Sequence, residues 1–423
     1  MSYIIKDIKE GIKLHLINNN KFKTNLIAIF LTTPITREYV TYDAVLSSVL
    51  RRGSKNMPTQ EEISKELENM YGADFDCGLD KTGDNHVFKF YLETINDAYI
   101  PQNNDNMLKT GLQKLIEIVF NPLIEENKFK EEYVEKEKKT IRQIIEGRVD
   151  NKARYAFDRC TEEMYKNEPY GLYKFGYVED LDKINAENLY NYYNKLKSEC
   201  KIDIFVSGEY TENIDEIVKK NENVESLLPR DPKYICNELM KKDIKSKENI
   251  VTESLEVTQG KLILGLDVGI EDEELKYDAL VYNAILGGTA SSKLFQNVRE
   301  KASLAYTASS SYIRHKNNIF INCGIEIKNY EKALKIIKEQ LKDMKDGSFS
   351  DEDIENAKKN IISTIKNIKD EQDTEIVYFF GQELTNKNVS VDEYIEKIGK
   401  VSREGIMNIA DNVYINTIYF LKD

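Results

Sequence analysis

The stretch YDAVLSSVLRRGS at residues 42–54 decides the fold, because it returns as YDALVYNAILGGT at residues 277–289, 235 positions later. A second pair follows in the same order: FKEEYVEKEKKTI at 129–141 resembles FSDEDIENAKKNI at 349–361, 220 positions later. Self-similarity of this kind indicates a duplicated unit. The first copy therefore carries about 15 extra residues, which we assign to a loop in the polar stretch 96–107.

The two copies also share the order of their hydrophobic patterns. An apolar strand (26–31 and 262–266) precedes the helix of the repeated motif, and strand-like alternation, an amphipathic helix and a long charged helix come later. A helix and an apolar strand close each copy, the strands lying at 202–206 and 417–421. The sequence thus predicts an α+β fold of two homologous domains, each a mostly antiparallel sheet packed with helices.

The domain limits follow from the composition between the copies. Residues 221–249 contain two prolines and a tail rich in Lys, Asp, Glu and Ser, which is typical of a linker. We therefore predict an N-terminal repeat at 1–220, a linker at 221–249 and a C-terminal repeat at 250–423.

Charge and composition exclude several classes of protein. The 423 residues contain 60 Lys and Arg against 73 Asp and Glu, a net charge of −13, which opposes binding to nucleic acid or to an anionic membrane surface. No apolar run has the length of a membrane span, and the N-terminus lacks the pattern of a secretory signal. Five scattered cysteines without a CxxC spacing read as free thiols, so we expect a cytoplasmic protein.

Histidine usage opposes metal chemistry. The chain has three histidines, His15, His86 and His315, and none has a His or Glu partner at helical spacing. Hydrolytic zinc needs several imidazoles and carboxylates around one ion. We expect strand or surface roles for all three, and no metal. Neither phosphate-loop nor dinucleotide glycine patterns occur, so we expect no cofactor.

One block carries a family resemblance. LGGTASSKLFQNVREKASLAY at residues 286–306 closely resembles the C-terminal-domain signature of the pitrilysin/insulinase metallopeptidases, which include the mitochondrial processing peptidases. The resemblance implies that the two domains form half of a clamshell. In that family the N-terminal domain bears an inverted zinc motif, H-x-x-E-H, and a further Glu ligand on the long charged helix.

By this resemblance, the ligand positions are occupied by residues that cannot bind zinc. The three motif positions fall on Ala44, Ser47 and Ser48, and the Glu ligand on Ile144. The acid that accompanies the ligands matches Glu137, for which we favour a charged residue on a charged helix. A nucleophilic role for the two serines is the alternative, but no His or Lys lies near them at helical spacing to act as a base.

A substrate-binding pair is present instead. Arg299 and Tyr306 match the Arg and Tyr that, by resemblance, grip the substrate backbone next to the scissile bond. Gly287 and Gly288 match a turn that flexes near the cleft in the family. The alternatives are a salt bridge at a helix end for Arg299, sheet packing for Tyr306 and a tight helix connection for the glycines.

The resemblance therefore implies a zinc-less, non-catalytic subunit that binds peptide substrate beside a paralogous subunit carrying H-x-x-E-H, with no peptidase activity alone. We also expect some self-association. The alternatives are a structural scaffold and a stand-alone peptide-binding protein, and an autonomous zinc peptidase with unusual ligands is disfavoured.

Overall fold

A computed structural model describes residues 2–100, 106–210, 213–231, 248–270 and 272–423. Its strands are β1 (Ser2–Lys9), β2 (Ile12–Asn18), β3 (Thr24–Pro34), β4 (Asp74–Thr82), β5 (Asn85–Ile95), β6 (Ile124–Glu125), β7 (Lys128–Phe129), β8 (Lys201–Gly208), β9 (Asn249–Ser254), β10 (Gly260–Val268), β11 (Ala305–Ile313), β12 (Asn318–Ile325) and β13 (Val413–Lys422).

The helices are α1 (Val40–Leu50), α2 (Gln60–Asn69), α3 (Met107–Phe120), α4 (Glu131–Glu146), α5 (Lys152–Met164), α6 (Val178–Leu181), α7 (Ala186–Glu199), α8 (Ile214–Lys219), α9 (Glu222–Glu225), α10 (Lys276–Asn283), α11 (Tyr330–Lys345), α12 (Asp351–Asn367), α13 (Gln372–Leu384), α14 (Val391–Lys400) and α15 (Arg403–Asp411). Two π-helical segments, Ala284–Gly288 and Phe295–Lys301, follow α10.

The larger sheet, sheet 1, has the strand order β1-β2-β8-β3-β5-β4. All neighbours are antiparallel except β2 and β8, which run parallel. Sheet 2 has the order β11-β12-β10-β13-β9, with one parallel pair, β13 and β9. Sheet 1, read from β4, and sheet 2, read from β11, have their corresponding strands in the same order. This agreement confirms the predicted duplicated α+β fold.

The central strand β3 is apolar on both faces because both are covered. Ile27, Ile29 and Leu31 point into the large core with α1, α3 and α7, whereas Leu26, Ala28 and Phe30 point into a second core. Successive strand residues face opposite sides of a sheet, so an uninterrupted apolar run needs cover on both. The cover on the second face is α13, through Ile376, Phe379, Phe380 and Leu384.

Two equivalent helices are exchanged between the repeats. The offset of 220 that relates the charged helices also carries the bounds of α5, Lys152–Met164, onto those of α13, Gln372–Leu384. Helix α13 belongs to the second repeat by sequence yet packs on sheet 1, and α5 belongs to the first yet packs on sheet 2. The contacts of α5 there include Cys160 and Met164 with Ile263 and Phe320.

The compact units accordingly differ from the sequence repeats. Unit 1 comprises the described residues of 1–146, 172–236 and 371–386, and unit 2 those of 147–171, 237–370 and 387–423. The predicted first domain, 1–220, thus includes a segment that folds with unit 2, and the predicted second domain, 250–423, includes one that folds with unit 1. Much of the predicted linker (221–249) and part of the predicted loop (96–107) lie outside the described residues.

Candidate functional site

The positions that correspond to zinc ligands lie on α1 and α4, which pack against each other in unit 1. Ala44 is fully buried and has no polar side-chain atom. Ser47 is buried too, and its Oγ donates to the Ala44 carbonyl at 2.9 Å, while the Ser48 Oγ is 3.4 Å from the same carbonyl. Ile144 is a hydrocarbon side chain, 38% exposed. Both hydroxyls therefore hydrogen bond to their own helix.

Zinc does not fit these residues. Structural and catalytic zinc sites use thiolate, imidazole and carboxylate ligands, and none of the four positions supplies one. Within the ranges that the structure describes, no group of three or more His, Cys, Asp and Glu side chains could hold a metal ion.

Glu137 is buried, although the helix α4 that carries it is rich in charged residues. Its exposed fraction is 2%, and the Arg52 guanidinium, just beyond the end of α1, donates to its carboxylate. Arg52 also donates to Gln60 Oε1 at 2.7 Å. Removing one partner of a buried ion pair leaves an uncompensated charge, so this pair fixes α4 against the end of α1.

Arg299 lies in the π-helical segment Phe295–Lys301 of unit 2. Its guanidinium stacks over the Phe295 ring at 4.5 Å, and its Nε is 3.5 Å from Glu300 Oε1. The Arg299 side chain is 42% exposed, and the Glu300 side chain is 50% exposed. An exposed pair between neighbouring residues contributes little to stability, so the guanidinium remains accessible to another acceptor.

Tyr306 lies near the start of β11, five residues beyond the π-helical segment, which packs against that strand. The pairing of β11 with β12 shifts between Ala305 and Thr307, so Tyr306 is the extra residue of a β-bulge. Its side chain is 64% exposed and does not pack in the sheet. The strand β11 is also an edge of sheet 2.

Gly287 and Gly288 occupy the first π-helical segment, after α10. A Cβ on the buried Gly287 would lie 2.6 Å from both N and Oγ of Ser310 on β11. Gly288 is exposed, and its nearest neighbour would be the Asn283 carbonyl at 3.2 Å. The close backbone approach that Gly287 permits is therefore made within the chain, to β11.

Comparison with known proteins decides the family. The Peptidase M16 inactive domain matches residues 183–361. The probable inactive metalloprotease YmfF of Bacillus subtilis is 35% identical over 430 residues, which cover 100% of this chain and 99% of that protein. The chain belongs to the M16 family. This is the family of pitrilysin/insulinase metallopeptidases that the signature at 286–306 predicts, and both the family model and the Bacillus subtilis relative carry the description inactive.

Other similar proteins are consistent with the assignment of this chain to the M16 family. The uncharacterized zinc protease YmxG of Bacillus subtilis is 24% identical over 323 residues, 75% of each chain. The crystal structure of a conserved protein from Enterococcus faecalis superposes with a TM-score of 0.90 at 28% identity, over 100% of this chain and 99% of the other. A peptidase M16 inactive domain from Pseudomonas fluorescens gives 0.79 at 16% identity, over 100% and 98%, and shows the fold alone. In the described ranges, no helix is long and apolar enough to cross a membrane.

Sequence reasoning missed two buried histidine networks in unit 1 of this M16 homologue. His86 and Asp43 are both fully buried, with Nδ1 and Oδ2 2.7 Å apart, and the Tyr192 hydroxyl donates to the other carboxylate oxygen. Asp43 directly precedes Ala44, so this network fixes α1 beside the strand β5. Because its members are far apart in sequence, the spacing of residues along the chain does not indicate the pairing.

The second network joins α13 to sheet 1. His15 Nε2 is 2.9 Å from Asp203 Oδ1, and the Lys201 ammonium lies 3.2 Å from Asp203 Oδ2 and 2.8 Å from Glu383 Oε1. Lys13 pairs with the same Glu383 oxygen at 2.6 Å. Burial acts to raise the pKa of Asp203, but the Lys201 charge and His15 outweigh it and lower that pKa to about 2.

Proposed function

We propose that this chain is the substrate-binding, non-catalytic subunit of a heteromeric zinc metallopeptidase that processes or degrades peptides in the cytoplasm. A paralogous partner carrying H-x-x-E-H would supply the zinc. The observation that carries the proposal is a contrast within the chain: the ligand positions hold Ala44, Ser47, Ser48 and Ile144, whereas Arg299 and Tyr306 keep exposed donor side chains.

The chemistry of the pair suits a peptide backbone. A guanidinium and a phenol both donate hydrogen bonds, so they can hold a peptide carbonyl and stabilise the negative charge that grows on it during hydrolysis. Both groups are suited to donating hydrogen bonds rather than to activating a water molecule. The pair would therefore position and polarise the scissile bond, and zinc held by the partner subunit would supply the Lewis-acid chemistry.

An edge strand beside the pair supports an extended peptide as the substrate. Peptides commonly bind by adding a strand to an exposed sheet edge, where main-chain hydrogen bonds give affinity. Strand β11 is such an edge, and Tyr306 projects from it at the bulge, where regular pairing with β12 is interrupted. A peptide aligned along β11 would pass Tyr306.

The test is the turnover of the complex, reconstituted from this chain and its purified zinc-bearing partner. Arg299→Ala and Tyr306→Phe each remove hydrogen-bond donors from exposed side chains, so folding and assembly should be unchanged. Turnover should fall by roughly 10²–10³-fold for a donor that acts in the transition state. Arg154→Ala is the matched control, since Arg154 is an arginine of unit 2 with a 65% exposed side chain that contacts Asp158 and Phe157 of its own helix.

The assembly state separates the outcomes. Reduced turnover with an intact complex supports the assigned role. Wild-type turnover in both variants, with the complex intact, would sink it and would favour the alternative of a structural scaffold.

A further inference from the structure

The donor pair Arg299 and Tyr306 lies on two irregular features of the backbone. Arg299 belongs to the π-helical segment Phe295–Lys301, and Tyr306 is the extra residue of the β-bulge in β11. Both kinds of feature occur frequently at functional sites, and a β-bulge re-aims the side chain that it carries. The side chains that hold these two features in place therefore bear on how the pair meets a substrate.

The π-helical segment is fixed to the rest of unit 2. Leu294, just before it, and Val298, within it, are fully buried. The Asn297 amide donates to Oε1 of Gln340 on α11 at 2.7 Å, and Gln340 is itself buried. Apolar packing and a hydrogen bond thus hold the backbone that carries Phe295, so the Phe295 ring has a defined position.

Phe295 supports the guanidinium of Arg299. The central guanidinium carbon lies 4.5 Å from the centroid of the ring, within the range of a cation–π contact. An arginine side chain that is 42% exposed would otherwise sample many rotamers, and ordering it costs conformational entropy. A stack engages the face of the planar group, whereas its N–H donors lie in the plane. The ring therefore holds Arg299 without occupying the donors that a peptide carbonyl needs.

Thr307 supports the bulge that carries Tyr306. The Gly324 amide on β12 donates to the Thr307 hydroxyl oxygen at 3.1 Å. A bulge disrupts the regular ladder of backbone hydrogen bonds, and a threonine hydroxyl can serve a nearby backbone group there. The Tyr306 side chain is 64% exposed, so its direction depends on the backbone rather than on packing. Because Thr307 directly follows Tyr306, its bond to Gly324 fixes the strand at the point from which the phenol projects.

We propose that Phe295 and Thr307 are positioning residues for the donor pair, Phe295 acting through Arg299 and Thr307 through Tyr306. The inference rests on the proposed function. Donors that are already in place stabilise the charge that develops on a carbonyl without reorganising during the reaction. An exposed cation–π contact favours the stacked state about two- to fivefold, and a hydrogen bond favours the bonded state about two- to tenfold. Losses of turnover should be of that size.

The experiment measures kcat and KM of the complex reconstituted with the zinc-bearing partner. Phe295→Leu should lower kcat about two- to fivefold, and Phe295→Tyr, which keeps the ring, should restore it. Thr307→Val removes the hydroxyl at nearly constant shape and should lower kcat about two- to tenfold, and Thr307→Ser should restore it. KM should change little, because the pair acts in the transition state.

Double-mutant cycles separate positioning from a structural role. Phe295→Leu should have no further effect in an Arg299→Ala chain, because Phe295 acts through that guanidinium. Thr307→Val should likewise have no further effect in a Tyr306→Phe chain. A loss that is as large in these backgrounds as in the wild type would show that the residue stabilises the fold instead, and would overturn its assignment.

Two measurements on the full chain without its partner test the contacts themselves. Phe295→Leu should shift the NMR resonance of the Arg299 Nε–H, because the ring current is lost, and Phe295→Tyr should not. The Gly324 amide should exchange faster with solvent in Thr307→Val than in Thr307→Ser. An unchanged resonance and an unchanged exchange rate would refute the two contacts.

The same set of variants distinguishes a failure of this inference from a failure of the proposed function. Wild-type turnover in Arg299→Ala and Tyr306→Phe would overturn the proposed function, and the positioning roles with it. Reduced turnover in those two variants, with wild-type kcat in Phe295→Leu and Thr307→Val, would overturn the positioning roles alone.

Discussion

Replacing Lys201 by Met should weaken the attachment of α13 to sheet 1 more than any exposed lysine substitution in unit 1. The Lys201 ammonium is shared by Asp203 and Glu383, and both carboxylates are buried. Glu383 would keep Lys13, whereas among the described residues His15 is the ion-pair partner that Asp203 would keep. A buried carboxylate deprived of its cation is the costly outcome.

The magnitude follows in two ways. Breaking a buried pair from one side typically costs about 3–5 kcal/mol. Lys201 and His15 together lower the pKa of Asp203 to about 2 from its ordinary value of about 3.9, which corresponds to about 2–3 kcal/mol of stability near neutral pH, and the Lys201 charge is the largest of these favourable contributions. We therefore expect Lys201→Met to cost about 3 kcal/mol at pH 7.

The pH dependence gives the sign of the effect. Because the folded-state pKa of Asp203 is depressed, its contribution is complete above about pH 4 and is lost as the pH falls towards 2. The difference between wild type and Lys201→Met should therefore narrow over that range.

The assay is urea unfolding, together with hydrogen exchange of the α13 amides, since two units need not unfold in one step. Lys219→Met is the control: its pair with Asp215 involves a lysine that is 46% exposed and should contribute less than about 1 kcal/mol. If Lys201→Met behaves like the control at pH 7, or if its deficit does not shrink in acid, the reasoning is refuted.

Three other substitutions test the site. Arg52→Met should lower the free energy of unfolding by about 3–5 kcal/mol, measured by urea titration, because it leaves Glu137 buried without its cation; a loss below about 1 kcal/mol would contradict this. Gly287→Ala should cost about 1–3 kcal/mol in the same assay, since its Cβ would meet Ser310, and wild-type stability would show that the segment yields freely. Ser47→Ala should change stability by less than about 0.5 kcal/mol and leave the turnover of the complex unaltered, whereas lost turnover would revive the serine nucleophile.

The duplicated α+β fold could be predicted because the repeat preserves hydrophobic spacing, and spacing determines which faces are buried. The exchange of α5 and α13 could not, since an apolar helix face does not specify which of two similar sheets it covers. One signal was available in β3, whose unbroken apolar run requires cover on both faces.

The candidate site, too, could be predicted from the sequence only in part. Burial of Glu137 was encoded in the spacing of α4, where it falls between the buried Val134 and Ile141 on one helix face. The carboxylate partners of His15 and His86 are 188 and 43 residues away in sequence, so only the folded chain brings them together.

The central claim is tested most directly by purifying a tagged copy of the chain, expressed at its native level, and measuring the identity, stoichiometry and zinc content of what accompanies it. The account predicts a second chain near one to one that carries H-x-x-E-H and holds the zinc, with none in the tagged chain alone. Recovery of the chain without such a partner, or with one zinc bound to the isolated chain, would contradict it.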